Sequence, residues 1–252
     1  MIKIIIIGTG NVGMHLCHAF EKATLSNKIS LVGYYNRAQK KLSDIKAPLL
    51  SQIENLPACD LIILAVPDDA VNKTANLLPT SQAIVAHTSG SVSITALEKH
   101  EHHGVFYMPQ SFSKTRKPNF EDITLCLESS SEAVNNVLEQ VAVTLSRKRE
   151  QINSNQRKKL HLAAVYMNNF VNHCYTKADQ IMQDAAIDTQ LLNALMQETL
   201  AKAIDLSPQK AQTGPAMRND IKTIEKHLEM LDNEDRDMYR SITNSIQKTH
   251  GN

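Results

Sequence analysis

Three glycines near the start of the chain, Gly8, Gly10 and Gly13 in IIIIGTGNVG, have the spacing G-x-G-x-x-G. That spacing suits a dinucleotide: a tight turn, a close approach of backbone to pyrophosphate, and close packing of helix on strand. The loop residues Thr9, Asn11 and Val12 belong to the same cradle, because amides at a helix N-terminus favour negative charge. A glycine triplet by itself is weak, and a purely structural turn uses the same residues. Its place after a β-branched run and at the opening of a helical segment favours cofactor binding. The next apolar run ends in YYNR. Asn36 stands where a carboxylate would bond the ribose of NAD, and Arg37 follows it, which favours the 2′-phosphate of NADP. The missing acid also counts against a methyltransferase using S-adenosylmethionine.

Four further segments carry candidate chemistry. In AVPDDAV (65 to 71), Val66, Pro67 and Asp68 are expected beside the cofactor at a carboxyl strand end, unless Asp68 or Asp69 caps the following helix, the reading favoured for the aspartates. HTSGS (87 to 91) concentrates a histidine, hydroxyls and a glycine at another strand end, with Ser89 assigned to the cofactor wall. His87 is open to two readings there: a neutral hydrogen-bonding group or a proton donor with pKa near neutrality, set against a strand-end histidine bonded to backbone. LHLAAVYMNNFVNHC (160 to 174) carries apolar residues on both sides, so the helix is expected at the centre of its domain, with His161, Val165, Asn168 and Asn172 as a stripe and Asn169 beside it. In QTGPAMRND (212 to 220), Arg218 either clamps a substrate carboxylate or phosphate or pairs with Asp220 to tie the loop. HEHH (100 to 103) lacks accompanying ligands of zinc spacing, so no metal is assigned and the histidines are expected to be solvated.

Positioning these groups requires a sheet. Strand candidates at residues 2 to 7, 29 to 36, 60 to 67, 83 to 90, 104 to 112 and 123 to 128 are interspersed with helical stretches such as 11 to 24. That alternation means βαβ units and a mostly parallel sheet. From Glu132 to His250 no convincing strand is found, and residues 154 to 186 contain no glycine or proline, so one helix of roughly 30 residues is expected. Two helices at about 219 to 231 and 234 to 249 follow, with Asp232 or Asn233 as caps. The fold class is therefore α/β with an all-α second half, divided into domains 1–150 and 151–252. The basic segment from Arg147 to Lys159 is expected to be a solvated helix approach.

The bulk numbers narrow the partners. With 252 residues there is room for two domains. The formal charge is +1, from 27 basic and 26 acidic residues, which excludes the footprint of a nucleic-acid binder. Cys17, Cys59, Cys126 and Cys174 form no C-x-x-C. The opening apolar run is too short for a signal-peptide core or a membrane span. A small-molecule substrate, no nucleic acid, no membrane and a cytoplasmic location are expected.

Taken with the glycine motif, YYNR and AVPDD, the segments HTSGS, FYMPQSFSK, LHLAAVYMNNF and TGPAMRND resemble a branch of the NADP-dependent dehydrogenase superfamily that includes 6-phosphogluconate dehydrogenase, ketopantoate reductase and pyrroline-5-carboxylate reductase. This branch joins a Rossmann-like domain to a C-terminal helical domain of unknown function. The resemblance implies a C-terminal domain like that of 6-phosphogluconate dehydrogenase, a substrate cleft between the domains, and a homodimer formed through the helical domains. It also exposes a departure. The lysine and asparagine four residues apart in the hydroxyacid dehydrogenases have no equivalent here: His161 lies near the lysine's place and Val165 takes the asparagine's.

The expectation is an NADP-dependent oxidoreductase acting on a carbonyl, imine or hydroxyl of a small polar metabolite. His161 is its candidate acid/base, Asn169 orients substrate or carboxamide, His87 completes the polar wall, and Asn168 and Arg218 face the substrate. The rival is a non-catalytic NADP-binding or redox-sensing protein, motivated by the missing lysine.

Overall fold

The computed structural model describes residues 1–251. By its contacts the chain divides into two compact units, Met1–Asn169 and Phe170–Asn252.

The first unit runs β1 (Ile2–Ile7), α1 (Asn11–Ala23), β2 (Ile29–Tyr35), β3 (Leu61–Leu64), α2 (Val71–Leu77), β4 (Ile84–His87), β5 (His103–Tyr107), β6 (Leu125–Ser129), α3 (Glu132–Ala142), β7 (Arg149–Gln151) and α4 (Ser154–Ala164). Among the described residues these strands form a seven-stranded sheet in the order β2-β1-β3-β4-β5-β6-β7. Only the β5–β6 pair is antiparallel. The chain reverses its direction of travel across the sheet between β1 and β3, which opens a crevice beyond their carboxyl ends.

The four isoleucines of β1 explain why this strand is central. Successive side chains point to opposite faces, so Ile4 and Ile6 join the core under α1 and α3, while Ile5 and Ile7 join the core under α2. All four are buried. Each contributes about 2–3 kcal/mol of apolar burial, and a strand sealed on both faces cannot alternate with polar residues.

Three expectations are corrected. A strand does occur after Glu132: β7 is Arg-Glu-Gln, paired with β6 at the sheet edge, where a short polar strand gives no hydrophobic signal. The expected long helix is instead α4, a π-helical turn over Val165–Phe170 and α5 (Val171–Asp184). A π turn takes in an extra residue, so the stripe drawn at 100° per residue loses its phase at Val165. Nor is the helix centrally buried within the chain, because Leu162, Tyr166 and Met167 are all exposed.

The second unit contains α5, α6 (Asn193–Leu206), α7 (Pro208–Ala211), α8 (Ile221–Glu229) and α9 (Asn233–His250). Lys177 pairs with Asp235 at 2.7 Å, tying α5 to α9. Asp220 caps α8 through the Thr223 amide, and Asp232 caps α9 through the Asp235 amide. Arg236 donates to the Leu228 and Leu231 carbonyls at the end of α8. Among the described residues, no helix is long and apolar enough to cross a membrane.

Candidate functional site

The glycine loop leaves β1 at Gly8, whose amide donates to the Tyr35 carbonyl at 2.8 Å. Gly8 has φ +98°, and a Cβ there would collide with the Ala65 carbonyl. A side chain at Gly13 would collide with the Gly8 carbonyl, so this glycine lets α1 lie against the strand end. At Gly10 a Cβ would meet no protein atom within 4 Å. The loop is thus tight against protein on one side and open on the other, and among the described residues the α1 N-terminus has no side-chain cap bond and no acidic residue in its first turn. Those amides are available to an anion.

The loop after the second strand delivers three of the cations. Both amide atoms of Asn36 are used on one residue: Nδ2 donates to the Lys40 carbonyl at 2.8 Å and Oδ1 accepts from the Lys40 amide at 2.9 Å. Asn36 therefore shapes the loop that carries Arg37, Lys40 and Lys41. Gly8, Thr9, Gly10, Asn36, Arg37, Val66 and Pro67 line one cavity of about 1040 Å³ at the crevice. Lys40, Lys41, Lys73 and Lys114 line it too, with Asp69 the acidic member of the wall. Asn11 and Val12 lie in the first turn of α1, outside that lining. The open face at Gly10 and the five cations fit a dinucleotide that carries an additional phosphate.

One strand along, the groups of HTSGS are assembled differently from the cavity wall. Asp68 does not cap α2; its carboxylate accepts a short hydrogen bond from the Ser91 hydroxyl, joining the β3 and β4 loops. Ser89 is buried, and its hydroxyl accepts from the amides of Ser91 (3.1 Å) and Val92 (3.0 Å), so it holds the turn. His87 is fully buried and its Nδ1 accepts from the Ser89 amide at 3.2 Å. Among the described residues its Nε2 has no hydrogen-bond partner, although the Ser93 backbone favours the charged form. Burial, and then the charge of Arg157, lower the His87 pKa to about 4. A proton donor with pKa near neutrality does not accord with this burial, whereas the bond from the Ser89 amide is that of a neutral strand-end histidine bonded to backbone.

Arg157 organises the cluster from α4. It is wholly buried, pairs with Glu128 on β6, and donates to the Ser89 carbonyl at 3.2 Å and to the Val92 carbonyl. Ser154 also donates to Glu128, at 2.9 Å, and Asn153 with Gln156 forms a capping box at the start of α4. The basic stretch from Arg147 to Lys159 is accordingly not a merely solvated approach: Arg157 is interior, and Arg149 pairs with Glu139 at 3.0 Å.

One turn beyond Arg157, His161 lies over Gly90. A Cβ on Gly90 would come within 2.6 Å of the imidazole Cγ and Nδ1, so only glycine admits the ring in this place. The Nδ1 atom lies 3.2 Å from the Tyr107 hydroxyl, and the two rings meet edge to face at 6.1 Å. Tyr107 packs with Val105 and Cys126, and Leu160 of α4 covers that cluster.

Asn168 and Asn169 are exposed on the π turn and are not brought into the His87–His161 cluster. Arg218 is exposed in the second unit, in the turn before α8, where its amide donates to the Gly214 carbonyl at 3.2 Å. Its neighbour Asp220 is held below the usual carboxylate range first by the Thr223 hydroxyl, then by the Thr223 amide, with a smaller effect from Arg218. His100 is buried rather than solvated, its Nε2 bonded to the Ala75 carbonyl at 2.9 Å, and His103 Nδ1 bonds the His100 carbonyl at 2.7 Å.

Sequence reasoning passed over Tyr107, Arg157, Lys40, Lys41, Lys73 and Lys114. A signal existed for Lys40 and Lys41, which follow Arg37 closely. None existed for Tyr107, whose partner lies 54 residues away.

A crevice at the switch between β1 and β3, floored by an uncapped helix start and ringed by cations, defines the α/β proteins that bind dinucleotides. Comparison with known families agrees. A Rossmann-like domain matches residues 1–109, and a domain of unknown function, DUF2520, matches residues 123–246. The crystal structure of "putative NADP oxidoreductase BF3122" from Bacteroides fragilis is 31% identical and covers 98% of each chain, with a TM-score of 0.88. The chain belongs to this family, in which a Rossmann-like domain is followed by DUF2520. Protein TM1727 from Thermotoga maritima is 21% identical over 98% of both chains, with a TM-score of 0.73. Plasmodium falciparum pyrroline carboxylate reductase, solved with NADP bound, is 12% identical over 99% of this chain and 98% of that one, at 0.63. These two show the shared fold alone. No functionally curated protein matches the chain.

Proposed function

We propose that the protein is an NADP-dependent oxidoreductase that reduces a carbonyl or imine of a small polar metabolite, or oxidises the corresponding hydroxyl. The observation that carries this reading is the cavity of about 1040 Å³ with the glycine loop at its floor and Arg37, Lys40, Lys41, Lys73 and Lys114 around it. The name of the Bacteroides fragilis relative points the same way. Gly8, Thr9 and Gly10 with the α1 amides hold the pyrophosphate, and the loop shaped by Asn36 presents Arg37, Lys40 and Lys41 to the distinguishing phosphate. When bound, the nicotinamide supplies a hydride.

A carbonyl or imine that gains a hydride also needs a proton at oxygen or nitrogen, and His161 is the residue that gives it. Gly90 sets the place of its ring, while Arg157 and Ser89 hold the loop beneath. Asn168 and Asn169 supply exposed amides for orienting substrate.

The protein acts as a homodimer in this reading. In α6 the apolar residues lie around the whole helix, yet none is buried: Leu195 and Ile204 are 61% and 73% exposed. A helix apolar all round is normally covered, and a second α6 offers a matching apolar surface.

Fluorescence titration with NADPH and NADH tests the cofactor, helped by the absence of tryptophan. The expected result is binding with NADPH preferred by at least about tenfold, the preference disappearing in Arg37→Ala, since a lost charge-assisted contact contributes about 1.5–3 kcal/mol. Absence of binding by either nucleotide at high micromolar concentration overturns the reading.

A further inference from the structure

We propose that Tyr107 is a positioning residue for His161: its hydroxyl donates to Nδ1 of the imidazole and so keeps the ring proton on Nε2. The catalytic consequence rests on the oxidoreductase reading, whereas the tautomer itself does not.

Three observations meet at this ring. The Tyr107 hydroxyl lies 3.2 Å from Nδ1 of His161. Gly90 lies so close under the imidazole that the ring has no room to sink toward the β4 loop. Leu160, the preceding residue of α4, packs into the cluster that holds the Tyr107 ring, so the strand and helix carrying the two partners are fixed to one another. A neutral imidazole has one donor and one acceptor nitrogen, and the bond made by the first fixes the tautomer. A phenol in this setting keeps its proton: burial pushes the Tyr107 pKa up to about 12. A phenol hydroxyl is a good donor and a poor acceptor beside an imidazole nitrogen, so we assign it as the donor to Nδ1, which leaves the histidine with one N–H, at Nε2.

This gives the histidine the directional character that a flexible lysine lacks. A lysine carries three equivalent donors on a mobile stem, whereas a tethered imidazole offers its proton at one atom and in one direction. Giving that proton to the alkoxide formed by hydride addition leaves an imidazolate, whose charge the Tyr107 O–H bond at Nδ1 stabilises until Nε2 recovers a proton from solvent. Tyr107 and Gly90 therefore act through His161 and need not touch the substrate. Arg157, one turn earlier, serves the other side of the cluster by fixing the Ser89 and Val92 carbonyls, and so holds Gly90 in place.

The test uses the full-length protein with 15N-labelled histidine. The His161 signals are assigned by their loss in His161→Gln, and the nitrogen shifts of the neutral ring report the tautomer. The expected wild-type result is a dominant Nε2–H form. Tyr107→Phe, which retains the ring and its packing, should give a mixture of both tautomers. Gly90→Ala should displace the imidazole and change the same signals.

In turnover assays Tyr107→Phe should lower kcat by about tenfold, a part of the 10²–10⁴ that a positioned acid supplies. KM and NADPH affinity should stay within about twofold, because Tyr107 is outside the cavity lining. A wild-type ring protonated on Nδ1, or a tautomer unchanged in Tyr107→Phe, overturns the inference. Loss of the Nε2–H form with kcat intact also overturns the positioning role. Failure of the oxidoreductase reading has a different signature: no NADPH binding while the tautomer is as expected.

Discussion

Ile4 to Ile7, Phe20 and Phe106 are sealed in the first unit, whereas Leu191, Leu195, Leu200 and Ile204 of the second are 61–73% exposed. The polar groups differ in the same sense. In the first unit Arg157, His87 and Ser89 lie inside, held by one another and by backbone; in the second the Asp220 cap and the Lys177–Asp235 pair are only half-buried. A unit that completes its own core can fix a loop to within a methyl group, as Gly13 and Gly90 require. A unit that leaves its apolar helices open depends on further surface for its stability.

The strongest challenge to this contrast is Arg157→Leu. It should destabilise the protein by about 3–5 kcal/mol in urea unfolding, because Glu128 is left as a nearly buried charge without its partner. A loss within the range of a surface substitution would show that the first unit is less rigidly organised than its burial implies.

His87 comes next. Its folded pKa of about 4 lies below the ordinary 6.5, so the unfolded chain takes up the additional proton as pH falls. The contribution is full above pH 6.5 and is lost as the pH falls toward 4, an effect of about 3 kcal/mol. Urea denaturation between pH 7 and 4.5 should show that slope, and His87→Gln should flatten it.

The glycines sharpen the comparison within the first unit itself. Gly13→Ala should cost about 1–3 kcal/mol in stability and abolish NADPH binding, since its Cβ meets backbone. Gly10→Ala, with nothing in reach of its Cβ, should leave stability within about 0.5 kcal/mol while weakening NADPH. An unchanged affinity in Gly10→Ala would remove the loop from the cofactor site.

The smallest stability effects are expected in α6. Leu195→Gln, Leu200→Gln and Ile204→Gln should each change the unfolding free energy of dilute monomer by at most about 0.5 kcal/mol. In sedimentation equilibrium the same variants should lose the dimer. A cost like that of a truncated core leucine, about 2–5 kcal/mol, would mean that the monomer already covers these residues.

Much of the first unit was legible because its signals are local. The run of isoleucines bounded by Gly8 and the strand ending YYNR occur where their apolar patterns indicate, whereas the strand expected over 83 to 90 stops at His87. The fold class followed from their alternation. β7 was not legible, since Arg149–Gln151 has the texture of a loop and becomes a strand only through pairing with β6. The π turn was equally hidden: VYMNNF contains no glycine or proline to announce a change of helical period. Histidine and arginine misled for another reason. His100 and Arg157 look like surface residues by type, and only partners far away in the chain, Ala75 and Glu128, make their burial tolerable.

Local sequence sets the glycine loop, Arg37 at the end of the second strand and the alternation of strands and helices, because each depends on neighbours within a few residues. Which distant side chains meet depends on packing in three dimensions. That packing turned Asp68 toward Ser91 and set His161 between Gly90 and Tyr107. Hydrogen-bond geometry and close packing act over ångströms in space, and the last pair is separated by 54 positions in the chain.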